Sequence, residues 1–128
     1  MSLIQLIYTS RPFGFDDARL ASILMEACRY NARDDITGAL IVREDLYLQM
    51  LEGPEKAVDA TFHRIKNDDR HVEVTLLMRH PANTRLFPDW SMRDDPADSW
   101  MWSQEQVKAG AIAQATEDEA LGIFKRLA

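Results

Sequence analysis

The chain has 128 residues, which is enough for one domain with a single hydrophobic core. Its net charge of −6, from 15 basic and 21 acidic residues, disfavours direct binding to nucleic acid, because a basic surface is needed to contact phosphates. The apolar runs are too short for a transmembrane helix, the first residues lack the pattern of a signal peptide, and the single cysteine, Cys28, cannot form an internal disulfide, so we expect a cytoplasmic protein.

The predicted elements follow the order strand, helix, strand, strand, helix, strand, strand. Runs of β-forming residues bounded by turn signals predict strands over 3–9, 36–42, 46–52 and 71–78, and a short fifth strand that contains Trp90 and Met92. Apolar residues at helical spacing predict one helix from Asp16 to about Asn31 and a second that begins at Gly53-Pro54, with the proline in its first turn. This order predicts an α+β fold, a ferredoxin-like βαββαββ sheet with both helices on one face.

The residues after the fifth strand form an acidic tail, in which 103–110 and 116–127 predict two short helices. We expect the domain to span 1–93 and this C-terminal helical extension to span 94–128. The second face of the sheet stays open unless the tail or a partner covers it.

Gln49 is a neutral amide in the middle of a strongly apolar strand. Burying such a group without hydrogen-bond partners costs about 1–3 kcal/mol. A carboxamide carries two donor hydrogens and one acceptor oxygen, and rotation exchanges them. Gln49 is therefore either a core amide satisfied by the backbone or a switch beside a buried group that uses both of its ends.

Two further polar side chains are predicted in the layer between sheet and helices. Tyr8 ends the first strand on the face of Ile4 and Leu6, since side chains alternate along a strand. Asn31 closes the apolar stripe of the first helix. Each has a purely structural explanation alone, but with Gln49 they place three hydrogen-bonding side chains in one layer.

Five short motifs follow one another along the chain. They are Leu6-Ile-Tyr-Thr-Ser10, Asn31-Ala-Arg-Asp-Asp-Ile-Thr-Gly38, Leu48-Gln-Met-Leu-Glu-Gly53, Asp68-Asp-Arg-His71 and Arg85-Leu-Phe-Pro-Asp-Trp-Ser-Met92. In sequence and order they closely resemble the BLUF family, blue-light sensors that bind a flavin without a covalent link. The resemblance extends from about Leu3 to Met92 and implies a ferredoxin-like fold with the flavin ring between the two helices.

The resemblance implies a set of flavin contacts. Ile23 and Ile65 would enclose the ring, Asn31 would bind its pyrimidine edge, and Arg64 would reach the far carbonyl, held by Asp68 one turn away. The full implied set is Tyr8, Ile23, Leu24, Asn31, Gln49, Arg64, Ile65, Asp68, Arg70 and His71, the last two near the ribityl or phosphate portion. FAD is the expected cofactor, and FMN and riboflavin stay open because the family mostly contacts the ring.

The resemblance also implies that Tyr8 and Gln49 are the photoactive pair. In this family light drives an electron and then a proton from the tyrosine to the flavin, after which the rearranged glutamine amide shifts the absorption to the red. Trp90 and Met92, on one face of the fifth strand, would transmit the signal. No catalytic residue or metal ligand is implied, and His63, His71 and His80 lie on different predicted elements, so we expect no metal site.

Alternatives on the same fold stay open. A light-inactive flavin-binding or protein-interaction module would use the same scaffold. A small acyl-phosphate hydrolase would need an anion-binding loop with an arginine directed into it, and residues 10–14 match this weakly. An RNA-recognition module would combine aromatic residues on the open sheet face with a basic surface, which the acidic balance opposes.

The expected partners follow from a switch that makes no bond to a substrate, so we expect no enzymatic activity. They are the flavin, a downstream protein that the sequence does not identify, and further copies of the chain in a homo-oligomer that uses the open sheet face and the tail helices. We expect no direct contact with nucleic acid or a membrane.

Overall fold

The computed structural model describes residues 3–12, 33, 35–43, 46–67, 71–88, 93–96, 104–110 and 114–127. The strands are β1 (Leu3–Pro12), β2 (Thr37–Arg43), β3 (Leu46–Pro54), β4 (His71–Ala82) and β5 (Arg93–Pro96). The helices are α1 (Glu55–Lys66), α2 (Gln104–Lys108) and α3 (Glu117–Leu127). The helix predicted over 16–31 lies outside the described residues.

The five strands form one sheet in the order β4-β1-β3-β2-β5. β1 pairs antiparallel with β3 and β4, β2 pairs antiparallel with β3, and β5 lies parallel to β2. The first four strands have the order expected of a ferredoxin-like chain, and β5 extends the sheet beyond β2. The predicted α+β fold is confirmed, and β1 and β3 are its central strands.

Each of the first four strands differs from its predicted bounds by one to four residues at one or both ends, and β4 differs most. β4 continues past the predicted end at Met78 to Ala82 and includes Pro81, which is tolerated because β4 forms an edge of the sheet. The fifth strand is predicted around Trp90 and Met92, which lie outside the described part, and the structure describes a strand at Arg93–Pro96. Its acidic residues have poor strand propensity, so pairing with β2 determines its position.

Helix α1 begins directly after β3, with Pro54 as its N-cap residue at φ −58° rather than in its first turn. Glu55 in the first turn and Lys66 in the last have the charges that the helix dipole favours at each end. Arg79 of β4 binds Asp59 of α1 through two hydrogen bonds of 2.9 and 2.7 Å, which ties the helix to the edge strand. The pKa of the Asp59 carboxyl is held below its usual value by these bonds.

Alternation along the strands divides the core into two layers. The layer between the sheet and α1 contains Ile4, Leu6, Tyr8, Ile36, Leu51 and Val58. The layer on the opposite face contains Ile7, Ala39, Ile41, Leu48, Met50, Met78 and Phe87, together with Ala120, Ile123 and Phe124 of α3. Helix α3 of the tail therefore packs on the second face, which was one of the two expected possibilities. The homo-oligomer expected through the sheet face and the tail helices stays a prediction.

A capping box fixes the start of α3. The Glu119 N–H donates to Thr116 Oγ1 at 3.1 Å, and Glu119 Oε1 accepts from the Thr116 N–H at 3.2 Å. This reciprocal pair satisfies two amide groups that the helix itself leaves unpaired. The predicted start of this helix at Thr116 agrees with the structure.

Gly38 in β2 is a position where only glycine fits. Its φ is 156°, and a Cβ atom added there would overlap the carbonyl oxygen of Met50 in the neighbouring strand β3. The close approach of the two backbones holds β2 against the strand that carries Gln49.

Candidate functional site

Tyr8 and Gln49 face each other across the two central strands. They are register partners in the β1–β3 pairing, and their side chains are 0% and 4% exposed. The Tyr8 hydroxyl donates a hydrogen bond to Gln49 Oε1. The Gln49 amide, which needs a hydrogen-bond partner in the apolar strand, therefore has one in Tyr8. Its nitrogen, Nε2, is at the other end of the same amide group.

The ring of Tyr8 also contacts α1. Its centroid lies 5.4 Å from that of Phe62, with the ring planes tilted by 47°. Lys66 Nζ lies 5.6 Å from the centre of the Phe62 ring, at the last turn of the helix. The hydroxyl–amide pair is thus placed in the layer between the sheet and α1, with an aromatic wall on one side.

Thr61 adds an unsatisfied polar atom to this helix. Its side chain is 3% exposed, and within the described part of the chain its Oγ1 has no hydrogen-bond partner. Thr61 lies one turn before Ile65, which is half-buried against the α1-side core. A buried hydroxyl without a partner costs about 1–3 kcal/mol, so this position favours a ligand with a polar edge.

The remaining predicted flavin contacts are only partly described. Arg64 is exposed in the last turn of α1, Ile65 is half-buried, and His71 begins β4 without a description of its side chain. The predicted residues outside the described part are Ile23, Leu24, Asn31, Asp68, Arg70, Trp90 and Met92. The structure thus brings together Tyr8, Gln49 and Ile65 in one layer.

Glu52 is a buried charged residue to which the sequence analysis assigned no role. It is 1% exposed and lies on the α3 side of β3, opposite Gln5 of β1. Its Oε2 accepts from Gln5 Nε2 at 2.8 Å and from the Leu86 N–H at 2.7 Å, and its Oε1 accepts from the Phe87 N–H at 2.7 Å. Glu52 lies on the same face of β3 as the apolar Leu48 and Met50, because side chains two residues apart share a face. This spacing was the signal of its burial in the sequence.

Arg85 connects three segments at the same corner of the sheet. Its Nη1 donates to Thr37 Oγ1 at 2.9 Å and to the Glu52 carbonyl oxygen at 3.2 Å. Its Nη2 donates to the Asp35 carbonyl oxygen at 2.8 Å and lies 3.1 Å from Asp35 Oδ2. The arginine of the fifth motif therefore joins the start of β2 to the end of β3.

The described residues contain neither a metal site nor a membrane-spanning helix. Among them, no group of three or more His, Cys, Asp or Glu side chains could hold a metal ion. Within the same ranges, no helix has both the length and the apolar character needed to cross a membrane.

The sheet order and the buried tyrosine–glutamine pair are the framework of a flavin-based light-sensor domain. A family model described as sensors of blue light using FAD matches residues 3–93. This match covers more than half of the chain, which therefore belongs to the BLUF family of blue-light sensors, whose domains bind FAD.

Similar proteins support the same assignment. The beta subunit of the photoactivated adenylate cyclase of Euglena gracilis is 36% identical over 92 residues, which are 71% of this chain and 10% of that protein. The chain therefore spans about a tenth of the length of the cyclase subunits it matches. Those relatives are light-regulated enzymes of which the matching domain is a small part.

Solved structures match nearly the whole chain. The dark-state structure of BlrB, a BLUF protein, superposes with a TM-score of 0.75 at 29% identity, covering 98% of this chain and 93% of that one. The photo-activated state of BlsA superposes with a TM-score of 0.80 over the same shares at 23% identity, which supports the fold alone.

The described residues fit a flavin. The Tyr8 hydroxyl, the Gln49 amide and the buried Thr61 hydroxyl offer hydrogen bonds to a polar heterocycle edge. Apolar groups of the same layer, such as Ile65 and Val58, can pack on a flat ring. A flat aromatic ligand with one polar edge could use the polar side chains for its hydrogen-bonding edge and the apolar ones for its ring faces.

Proposed function

We propose that this chain senses blue light through Tyr8 and Gln49 as its photoactive switch. The observation that carries the proposal is the buried hydrogen bond from the Tyr8 hydroxyl to Gln49 Oε1. When bound, the flavin supplies blue-light absorption and an acceptor for one electron.

The switch uses these two side chains together with the one-electron acceptor that a bound flavin would supply. Tyr8 would give one electron to that acceptor, and its phenolic proton would leave along the hydrogen bond to Gln49 Oε1. The amide would then rotate, so that Nε2 rather than Oε1 faces Tyr8, and the return of one electron and one proton to the phenol would restore the tyrosine. The two side chains end with their original atoms and a different hydrogen-bond pattern, which is a change of state rather than a reaction with a substrate.

The cofactor contacts follow the family pattern at matching positions. We propose Ile23, Leu24 and Ile65 as ring contacts, Asn31 and Arg64 as partners of its polar edge, and Asp68 as the residue that holds Arg64. The proposed contacts beyond the ring are Arg70 and His71, and the proposed transmission residues are Trp90 and Met92. FAD is the cofactor of the family, and this set leaves FMN and riboflavin as further ligands to test.

The output passes through protein contacts, since the proposed switch makes no product. The partner is a downstream effector or a second copy of the chain, in a cytoplasmic setting, without direct binding to nucleic acid. The proposed sensor spans 1–93 and the extension spans 94–128. Because α3 of the extension packs on the sheet, a change in the sensor can alter the tail and any surface that a partner contacts.

Absorption spectra of the purified protein test this function, before and after blue light, for wild type, Tyr8→Phe and Gln49→Leu. A reversible red shift in the wild type that both substitutions abolish supports the sensor and its switch. Bound flavin without a shift would instead support the light-inactive flavin-binding module. A colourless protein that cannot be reconstituted with FAD, FMN or riboflavin would contradict both.

A further inference from the structure

We propose that Glu52 is a positioning residue that couples the strand of the switch to the tail helix α3. This inference rests on the proposed function, because it describes how a change at Gln49 reaches the opposite side of the sheet. Gln49 and Glu52 lie three residues apart on β3, so they face opposite layers. Gln49 contacts Tyr8 on the α1 side, whereas Glu52 contacts Gln5 on the α3 side.

The Glu52 carboxylate holds a loop in place. Both of its oxygens are used, one by the Phe87 N–H and the other by the Leu86 N–H and the Gln5 amide, at 2.7 to 2.8 Å. Hydrogen bonds to an ionised group are stronger than bonds between neutral groups. The backbone at residues 86 and 87 therefore follows the position of this part of β3.

The same loop contacts α3 through an aromatic pair. The Phe87 ring centroid lies 6.3 Å from that of Phe124, with an interplanar angle of 84°, and both side chains are buried. An edge-to-face pair has a preferred geometry. If Phe87 is displaced, either Phe124 moves with it or the contact between the two rings is lost. The contacts from β3 to α3 thus run from Glu52 to Phe87 and on to Phe124.

Two features make this corner suitable for transmission. Arg85 donates hydrogen bonds to the end of β3, to the start of β2 and to Asp35, and so ties the two strands together at this corner. A pocket of about 360 Å³ lies between Arg85 and Leu86 on one side and Leu121 and Lys125 of α3 on the other. Helix α3 therefore has open space beside Leu121 and Lys125 into which it can shift. At Phe124, in contrast, it is in close contact with Phe87.

Hydrogen–deuterium exchange of the peptides that cover 117–127 tests the coupling, in darkness and under blue light, on the flavin-loaded full chain. The variant is Glu52→Gln, which keeps an acceptor oxygen but presents an N–H group to one of the backbone N–H groups. We expect it to retain the red shift and dark-state protection and to lose the light-induced change in exchange. The matched control is Gln5→Leu, which leaves both backbone bonds to Glu52 in place and should keep that change.

A second variant acts at the other end of the contact and guards against a folding defect at position 52. Phe124→Leu keeps an apolar side chain in the core but removes the ring pair, and it should also lose the light-induced change while keeping the red shift. The coupling is refuted if both variants retain the full light-induced change, or if the wild type shows a red shift but no change in 117–127. A wild type without a red shift would refute the proposed function itself, so the two failures are distinguishable.

Discussion

Tyr8 lies directly opposite Gln49 in the pairing of the two central strands, and its hydroxyl donates to the amide oxygen of that residue. The relationship is set by the backbone, because register partners on one face of an antiparallel pair bring their side chains together. A slip of one residue would move either side chain to the other face of the sheet. The pairing register of the two central strands therefore determines that these two side chains meet.

Replacing Thr61 with valine tests whether its hydroxyl, which has no partner among the described residues, belongs to the cofactor site. Valine has nearly the same shape and lacks the buried oxygen, so the flavin-free protein should gain about 1 kcal/mol in free energy of unfolding. Flavin should bind less tightly, by about fivefold to tenfold in Kd, a change of about 1 kcal/mol. Urea unfolding and flavin titration measure the two effects.

The matched control for that position is Thr61→Ser, which keeps the hydroxyl and should retain the wild-type Kd. An unchanged Kd in Thr61→Val would show that the hydroxyl makes no contact with the ligand.

Replacing Glu52 with leucine should destabilise the fold strongly. Leucine leaves the buried Phe87 N–H and the partly buried Leu86 N–H without an acceptor, at a total cost of about 2 to 4 kcal/mol in free energy of unfolding. Gln5→Leu removes only the side-chain donor and should cost about 1 kcal/mol. Equilibrium urea unfolding compares them, and equal losses for the two variants would contradict the structural role assigned to the carboxylate.

Phe124 should be the principal anchor of the tail helix. Truncation to alanine in a buried aromatic pair should lower the free energy of unfolding by about 3 to 5 kcal/mol. The neighbouring exposed Lys125 provides the control, since Lys125→Ala should change the value by no more than about 0.5 kcal/mol. Thermal unfolding followed by circular dichroism measures both, and a small effect of Phe124→Ala would mean that α3 is dispensable for the core.

The ion pair between Arg79 and Asp59 should contribute to stability in a pH-dependent way. The two hydrogen bonds from Arg79 lower the pKa of the Asp59 carboxyl in the folded state below the value of 3.8 expected when unfolded. The contribution is therefore present above pH 3.8 and is lost as the pH falls through the lowered folded-state pKa. It is small, because both side chains are partly exposed.

Urea midpoints of wild type and Arg79→Gln should consequently differ slightly at pH 6 and converge as the pH is lowered below 3.8. In an Asp59→Asn background the pH-dependent effect of Arg79→Gln should be much smaller, because only the exposed Glu55 carboxylate, 3.5 Å from Arg79 Nη2, remains as a partner. A difference that grows on acidification would reverse the assigned sign.

The fold could be predicted from the sequence because most strands and helices carry clear local patterns. Alternation in β1 and β3 placed Tyr8 and Gln49 in the same layer, and the structure confirms their direct contact. Periodicity could not supply the register that sets them opposite each other, since register depends on pairing between distant segments. The same holds for β5, because Arg93–Pro96 has little strand propensity of its own and forms a strand by pairing with β2.

Other parts of the site required tertiary structure. The spacing of Glu52 from Leu48 and Met50 marks its burial in the sequence, but only the tertiary structure shows that it accepts hydrogen bonds from the Leu86 and Phe87 N–H groups. The amphipathic pattern of α3 predicted a helix but did not specify which surface it would cover. In the structure α3 packs on the face of the sheet opposite α1, so the tail contacts the strands of the switch from the side opposite Tyr8 and Gln49.

The backbone contact at Gly38 limits how this sensor can diverge or be engineered. Any side chain there meets the carbonyl of Met50, one residue from Gln49, so a mutational library at this codon should return glycine almost alone. Leu40, the residue of β2 paired with Gln49, has no such backbone restriction. Spectral or kinetic tuning of this protein by directed evolution should therefore accumulate at position 40 and leave position 38 unchanged.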